Sequence, residues 1–418
     1  MHTSHQSALA RLFLVLALPL GGALTACSDA ESATLAAAAD EIAQAVPDAE
    51  LRTAQRELLA IAFDAASALP LEPHIKNRSR AQEGVVLAYL ELDQPQHALV
   101  ALRGIDNWRR GACYADLAFY LAEHGGAEAR IVEALDQARL VARSTEDWRR
   151  DRILAKVARV HALLGQDQLV ADTTREISSV EAGRVAGAYA LGADAARCDA
   201  QLGMLDTLPL TATFEEVREA ILACLTLHER FYADVERRER IEAKIIETLP
   251  KVPLDLRIGM LQALAETNAE LGSPDRALEL LARAQTLYDG AKWNAEHAVP
   301  LLARAASIRY AAGQREAGLA EAAIALETYE SAGRKLIDIY RAQALCPLAE
   351  AYVRMGQPED ALRIYRLAIE AGVINPNSRP RAMDLAATCS SMAVNGAEPD
   401  EALNARIAEI RAGLGDPW

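Results

Sequence analysis

Residues 356–362 read Gly-Gln-Pro-Glu-Asp-Ala-Leu, and residues 93–99 and 272–278 align with them without a gap. Each place in this pattern has a mechanical reason. A glycine after a helix accepts the left-handed conformation, and a proline two residues later suits the first turn of the next helix. The alanine lets two helices cross closely, while the leucine faces a core. The pattern therefore predicts a helical hairpin.

The same turn recurs along the chain. Its centres fall at Asp93, Gly125, Gly165, Gly272, Gly313, Gly356 and Gly396. From Leu51 onward, apolar residues recur at three- and four-residue steps, which is typical of amphipathic helices. The long gap between Gly165 and Gly272 predicts two or three degenerate hairpins, with turns near Gly203 and Asp234. Together the turns predict about eight to nine hairpins, each burying its apolar face on its neighbours.

One repeat matches a known pattern in register. Its residues are Leu345, Leu348, Ala349, Tyr352, Gly356, Ala361, Tyr365 and Ala368. They occupy the eight signature steps of the tetratricopeptide repeat, which this chain resembles. The resemblance implies an all-α fold, a right-handed superhelical solenoid whose concave groove is lined by the first helix of each hairpin. The last turns are 41, 43 and 40 residues apart, longer than the family's period of about 34, which implies longer helices or links.

The resemblance also implies a binding surface. In the family, groove residues sit at fixed steps on the first helices. Carried onto the best-matched repeats, these steps fall on Gln262, Glu266, Glu270, Gln343, Glu350 and Arg354. Their mixed polar character suits a peptide or protein surface, and ordinary solvated helix positions would share it.

Arginines form a second periodic feature. Six of them lie 15 residues before a turn centre: Arg78, Arg110, Arg150, Arg257, Arg341 and Arg381. An arginine near the start of a helix is opposed by the helix dipole, so each needs a compensating partner. One interpretation is a ladder of ion pairs or carbonyl caps between repeats. The other makes Arg110, Arg150, Arg257 and Arg341 binding residues for the carboxylates of an acidic or C-terminal peptide.

The N-terminus is typical of a secretion signal. An apolar run over residues 12–26 follows Arg11 and is too short to span a bilayer comfortably. Residues 24–27, Leu-Thr-Ala-Cys, resemble the lipobox of bacterial lipoproteins. This resemblance implies cleavage before Cys27, lipid on its thiol, and a place at the outer membrane facing the periplasm. Two or more acyl chains give stable anchoring.

These patterns divide the chain into five segments. Residues 1–26 are expected to be the lipoprotein signal peptide, and residues 27–50 a flexible tether. Hairpins resembling the tetratricopeptide repeat fill residues 51–206 and 255–418, and residues 207–254 hold a degenerate hairpin and joints.

The net charge and the absence of known motifs limit which partners and activities we expect. The net charge of −15 repels phosphate backbones, so we expect no nucleic-acid partner. His228-Glu229 lacks the second histidine of a zinc-protease motif, and the cysteines have no metal-ligand spacing. We therefore expect no catalytic residue, metal or cofactor. In an oxidising compartment, Cys346 and Cys389 are the first pair to test for a disulfide.

The sequence thus predicts a lipid-anchored adaptor, not an enzyme, that binds a protein or peptide of the cell envelope. Two alternatives stay open. One is an α/α toroid with paired carboxylates at its centre, as in glycoside-cleaving or lyase enzymes, although an aromatic content of 5% offers few platforms for sugars. The other is a sugar-binding outer-membrane lipoprotein. An open superhelix favours the adaptor, and a closed ring favours the toroid.

Overall fold

The structure is a computed structural model that describes residues 46–207 and 211–418. The helices of the first half are α1 Thr53–Ala68, α2 Leu71–Glu91, α3 Pro95–Arg103, α4 Arg109–Glu123, α5 Glu128–Arg143, α6 Asp147–Leu163, α7 Asp167–Thr174, α8 Ser179–Gly183, α9 Ala186–Leu191 and α10 Ala195–Thr207. Those of the second half are α11 Phe214–Arg230, α12 Val235–Thr248, α13 Leu254–Glu270, α14 Pro274–Asp289, α15 Ala295–Ala311, α16 Arg315–Ala332, α17 Asp338–Arg354, α18 Pro358–Val373, α19 Ser378–Val394 and α20 Glu401–Ala412. No strand occurs within these two ranges.

From α2 onward, the helices alternate between an inner and an outer layer. The hairpins are α2–α3, α4–α5, α6–α7, α9–α10, α11–α12, α13–α14, α15–α16, α17–α18 and α19–α20. The first helices of successive hairpins pack side by side, and the short helices α8 and α9 together take the place of one first helix. This arrangement confirms the predicted all-α repeat solenoid.

The turns have the predicted backbone. All seven expected turn centres have a left-handed φ, from 56° at Asp93 to 92° at Gly272 and Gly313. In every one, the next N–H donates to the carbonyl five residues earlier, as from Gln357 to Tyr352 at 2.9 Å. This bond closes a Schellman motif, which satisfies a carbonyl at the helix end. Prolines begin α3, α14 and α18, as the pattern predicts.

The small residue five places after the turn centre sits where the layers touch. Ala98, Ala277 and Ala361 hold this place and are fully buried. The equivalent Gly318 is tighter still, because an added Cβ would lie 2.7 Å from the Ala306 carbonyl oxygen. A small side chain is thus what allows the outer helix to approach the inner one.

The degenerate region differs in part from the expectation. The turn near Asp234 is present, and the Asp234 side chain accepts a bond from the Arg237 N–H at the start of α12. The turn expected near Gly203 is wrong, because Gly203 lies inside α10 and the chain turns after Gly192 instead. An isolated glycine is tolerated within a helix, so glycine alone is a weak turn signal.

The two ends of the solenoid meet. Helix α1 packs along α19, and α2 also contacts α19. The Arg52 guanidinium donates to the Gly396 carbonyl at 2.9 Å and to Glu398 at 2.6 Å, and the Gln55 amide donates to the Ala393 carbonyl at 2.9 Å. Helix α1 therefore supplies a second outer partner for the last inner helix.

The apolar core follows this closure. One buried cluster joins residues of α1–α6 with residues of α15–α20, and further clusters extend through α6–α9 and α9–α15. The solenoid is therefore a closed ring, where the sequence pattern predicted an open groove. Repeat spacing describes neighbours only and contains no information about contacts between the ends.

The chain enters the ring at the first hairpin turn. Residues 46–50 lie along it, where the Ala49 N–H donates to the Asp93 carbonyl at 2.9 Å and Asp48 accepts from the Gln96 N–H at 2.8 Å. The predicted signal peptide at 1–26, Cys27 and most of the predicted tether lie outside the described residues. Of the described helices, none has the length and apolarity to cross a membrane.

Candidate binding surface

A stripe of polar side chains runs from one inner helix to the next, and its last members also contact the outer helix α18. We call it the inner belt. Its members are Glu83, Arg109, Asp116, Arg152, Lys156, Glu181, Arg184, Arg218, Glu219, Glu266, Arg304, Gln343, Glu350, Arg354, Asp384 and Ser391. Most of them contact the next inner helix, so the belt links the repeats as well as lining the ring.

The first section of the belt spans α2, α4 and α6. Arg109 pairs with Glu83, and Lys156 Nζ donates to Asp116 Oδ2 at 2.5 Å. Cys113 lies between the two carboxylates, and the possible ligand atoms of these three residues are within 4.8 Å of one another. Burial raises the pKa of the Cys113 thiol well above its ordinary value. Each carboxylate already holds a cation, so the trio has the chemistry of an ion-pair cluster.

The second section crosses the short helix α8. Arg152 pairs with Glu181 at 2.6 Å, and Arg184 reaches both Glu181 at 3.0 Å and Glu219 at 3.3 Å. Arg218 completes the row on Glu219 at 2.6 Å. Burial, followed by the nearby charge of Arg152, lowers the pKa of Arg184. Opposite charges alternate here from α6 to α11.

The third section is centred on Glu266, which is only 8% exposed. Its carboxylate accepts from Arg304 at 2.7 Å and from Arg354 at 3.0 Å. Glu266 and Arg354 lie on α13 and α17, with α15 between them. Packed helix axes are about 8–10 Å apart, so this bridge requires the inner face to curve tightly at this point.

The last section joins α17 and α19. The Ser391 hydroxyl donates to Glu350 Oε1 at 2.7 Å and shares a hydrogen bond with the Tyr365 hydroxyl at 2.9 Å. Asp384 is buried, and its Oδ2 has no hydrogen-bond partner among the described residues. Burial raises the pKa of Asp384 from 3.8 to about 7, against a smaller lowering by a hydrogen bond with Gln343.

The predicted groove residues are thus partly brought together. Glu266 and Arg354 are in direct contact, and Gln343 and Glu350 lie on the side of α17 that meets α19. Gln262 is 2% exposed and donates to the Leu301 carbonyl at 2.8 Å, so it fastens α13 to α15. Glu270 is exposed at the end of α13.

Five of the six periodic arginines donate to main-chain carbonyls near the links between hairpins. The contacts are Arg78 to Ser67 and Leu69, Arg150 to Glu176, Arg257 to Pro250 and Val252, Arg341 to Gly333, and Arg381 to Asn375, all at 2.5–2.8 Å. The Nε of Arg110 is buried without a hydrogen-bond partner among the described residues. Carbonyl capping accounts for these contacts. A role of Arg110, Arg150, Arg257 and Arg341 in binding stays a prediction.

Sequence reasoning missed several members of the belt. Asp116 and Lys156 are 40 residues apart, the same step that separates Trp108 from Trp148. Opposite charges at equivalent places of adjacent first helices would have predicted this pair. No such pattern in the sequence predicts the Arg304–Glu266 pair, because the two residues do not occupy equivalent positions in their repeats.

The cysteines do not form the disulfide that was to be tested between Cys346 and Cys389. All five described cysteines are free thiols, so the Cys346–Cys389 disulfide is not formed. Cys346 instead lies 3.7 Å from the Thr388 hydroxyl, while Cys389 is fully buried in the apolar core. Burial raises the pKa of each thiol to about 12, which keeps both protonated and unreactive.

Two small cavities occur among the described residues. One is lined by residues of α13–α15 and the other by residues of α18–α20, including Asp384 and Arg381. Each has a volume of about 10 Å³, which is room for about one water molecule. A sugar or cofactor does not fit either of them.

Comparisons with known proteins give one structural neighbour. No protein-family model and no curated protein matches the chain. A solved structure described as a "circular tandem repeat protein with novel repeat topology and enhanced subunit contact surfaces" covers 91% of this chain and 96% of its own, at 15% identity and a TM-score of 0.24. A likeness of this size carries no weight, and the ring rests on its own contacts. Those contacts define an all-helical, repeat-like scaffold.

Proposed function

We propose that this chain is a lipid-anchored scaffold of the cell envelope that holds a protein or peptide partner at its inner belt. The observation that supports the proposal is the cluster of the buried Glu266 with the half-buried Arg304 and Arg354, charges contributed by three inner helices. A carboxylate of a partner can replace Glu266 on either arginine, because a guanidinium binds carboxylates in a fixed fork geometry. Repeat proteins bind their partners on extended surfaces that several repeats form together.

The proposed location is the outer membrane, with the ring facing the periplasm. It is supported by the apolar run ending at Ala26 and by the cysteine that follows. Residues 28–45 would extend at most about 60 Å between Cys27 and the ring. The anchor would thus hold the scaffold close to the membrane while leaving it free to turn.

Site-specific photocrosslinking in intact cells tests the partner. The probe replaces Gln343, which is exposed in the inner belt, or Glu270, which is exposed at the end of the inner helix α13. Leu367, which is exposed on the outer helix α18, serves as the control. We expect one envelope protein to crosslink from both inner positions and not from the outer one. Equal crosslinking from all three positions, or none, would contradict binding at the inner belt. A Cys27→Ser variant in the same cells should leave the membrane fraction.

The closed ring favours a second candidate, the α/α-toroid enzyme. Such an enzyme places an acid and a second carboxylate at the centre of its ring. Glu83, Asp116 and Glu266 each hold a cation instead, and Asp384 adjoins a cavity of about 10 Å³. Incubation of the purified chain with envelope polysaccharides separates the candidates, because turnover that is lost in Asp384→Asn would support the enzyme.

A further inference from the structure

The links between hairpins lie along one edge of the ring. Because inner and outer helices alternate in direction, every inner helix begins at this edge, which we call the link rim. Adjacent links touch there: Trp108 and Trp148, at the starts of α4 and α6, meet edge to face with ring centroids 5.3 Å apart. Because the ring closes, the link rim is a continuous annulus around one end of the ring.

Apolar side chains project from two neighbouring links of this rim. Ile337, Ile339 and Tyr340 at the start of α17 are 57%, 41% and 37% exposed, and Ile374 before α19 is 56% exposed. Arg334 and Lys335 are exposed in the same link as Ile337. We call these six residues the link patch.

The two links are held firmly. In the first, Leu336 is buried beneath the patch, and Arg341 donates to the Gly333 carbonyl at 2.8 Å and to Asp338 at 2.9 Å. In the second, Asn375 is buried and its carbonyl accepts from Arg381 at 2.5 Å. The apolar side chains therefore stand on a fixed backbone. Asp338, the acid of the first link, is already paired.

Most of the lysines lie at one edge of the ring. Four of the six lysines, Lys76, Lys251, Lys292 and Lys335, are exposed on or beside the link rim. The opposite edge carries acids in the first turns of the outer helices, including Glu128, Asp167, Asp275, Glu316, Glu359 and Glu401. The link rim also carries exposed acids, including Asp106, Glu146, Glu176 and Glu330, so the local pair of cations at Arg334 and Lys335, and not the charge of the whole rim, favours an anionic surface.

We propose that the link patch docks on an anionic phospholipid surface, with Ile337, Ile339, Tyr340 and Ile374 entering the headgroup region beside Arg334 and Lys335. Apolar and aromatic side chains flanked by cations bind this region of a bilayer. The choice of lipid rests in part on the proposed function, since the anchor at Cys27 would bring the ring to a membrane.

The lipid anchor at Cys27 and the link patch can contact the same membrane at the same time. Residues 46–50 enter at the edge opposite the link rim, beside Asp93. A 17-residue inner helix is about 25 Å long, and any segment as long as residues 28–45 spans at most about 60 Å when fully extended. The tether is therefore long enough for the patch to reach the leaflet that holds the lipid.

Flotation with vesicles tests the patch without the anchor. Residues 28–418, which contain every contact that closes the ring, are mixed with vesicles of phosphatidylcholine alone or with phosphatidylglycerol added. We expect binding to the anionic vesicles to exceed binding to the neutral ones by on the order of tenfold, and to weaken with salt. Both Ile337→Ser/Ile374→Ser and Arg334→Glu/Lys335→Glu should lower anionic binding by roughly tenfold.

Two matched variants serve as controls. Val100→Ser/Ile324→Ser removes exposed apolar residues of outer helices, and Arg56→Glu/Arg283→Glu makes the same charge change away from the link rim. Both should bind vesicles as the parent does. Absent binding, or equal losses in patch and control variants, would overturn the proposal. So would patch-dependent dimerisation measured by light scattering, because a second copy would then cover the patch. The vesicle experiment tests the link patch alone, and its outcome is independent of crosslinking at the inner belt.

Discussion

At the scale of single residues, the inner belt is stabilised by paired charges, and Asp384 is the exception. Glu266 satisfies two arginines at once, and the other belt acids hold cations or hydroxyl groups. Asp384 is 4% exposed, and its Oδ2 has no hydrogen-bond partner among the described residues. A buried carboxylate without a charge partner favours its protonated form.

Asp384 makes stability depend on pH. Its pKa is raised from 3.8 to about 7 in the folded chain, so the folded state keeps a proton that the unfolded state releases. Stability is then full below about pH 4, falls as the pH rises towards 7, and stays reduced above it. We expect Asp384→Asn to be more stable than the parent at pH 8, by up to about 4 kcal/mol, and similar to it at pH 4. Urea unfolding at both values measures this.

Asp275 provides the comparison, because it is exposed in the first turn of α14. Asp275→Asn should show no gain at pH 8. An Asp384→Asn chain whose stability changes with pH as steeply as that of the parent would contradict the assignment to Asp384.

At the scale of elements, the hairpin turn is what the sequence predicted best. A left-handed residue, a proline two places later and a small residue after it are local requirements, so a local pattern reveals them. All seven turn centres were found in this way. Gly203 was misread because a glycine inside α10 resembles one after a helix. The belt was found only in part, because the partners Glu266 and Arg354 are 88 residues apart.

The glycine turns should respond to alanine in the direction set by their backbone. Gly272 has a φ of 92°, which an alanine adopts with strain, although space around it is open. Gly84, within α2, also has open space and an ordinary helical backbone. We expect Gly272→Ala to lose about 1–2 kcal/mol of stability and Gly84→Ala to gain about 0.5–1 kcal/mol. Thermal unfolding measures both, and changes of the same sign would disprove this account of the turn.

At the scale of the whole molecule, closure makes the first helix part of the core. Leu58 and Leu59 of α1, and Leu69 directly after it, are at most 1% exposed, although they lie near one end of the described chain. In an open solenoid, a terminal helix has a neighbour on one side only. Here α1 is covered by α19 and α2, so it should be as stable as a helix in the middle of the array.

Leucine substitutions compare the two positions. We expect Leu59→Ala in α1 to lose about 2–5 kcal/mol of stability, as much as Leu348→Ala in the middle of α17, since both side chains are fully buried. Leu367→Ala, on the exposed face of α18, should change stability by about 0.5 kcal/mol or less. Chemical denaturation measures all three. A Leu59→Ala loss less than half that of Leu348→Ala would indicate a frayed end rather than a closed ring.

The contact between α1 and α19 also determines when a newly synthesised chain can finish folding. Gln55 and its acceptor Ala393 are separated by 338 residues, so a ribosome making about 5–20 residues per second needs tens of seconds to finish the distance between them. Throughout that interval the apolar face of α1 lacks its packing partner α19, and chaperones can still hold the chain in an unfolded state. The hairpin of α19 and α20 closes the ring, so folding is completed only after this hairpin has been synthesised.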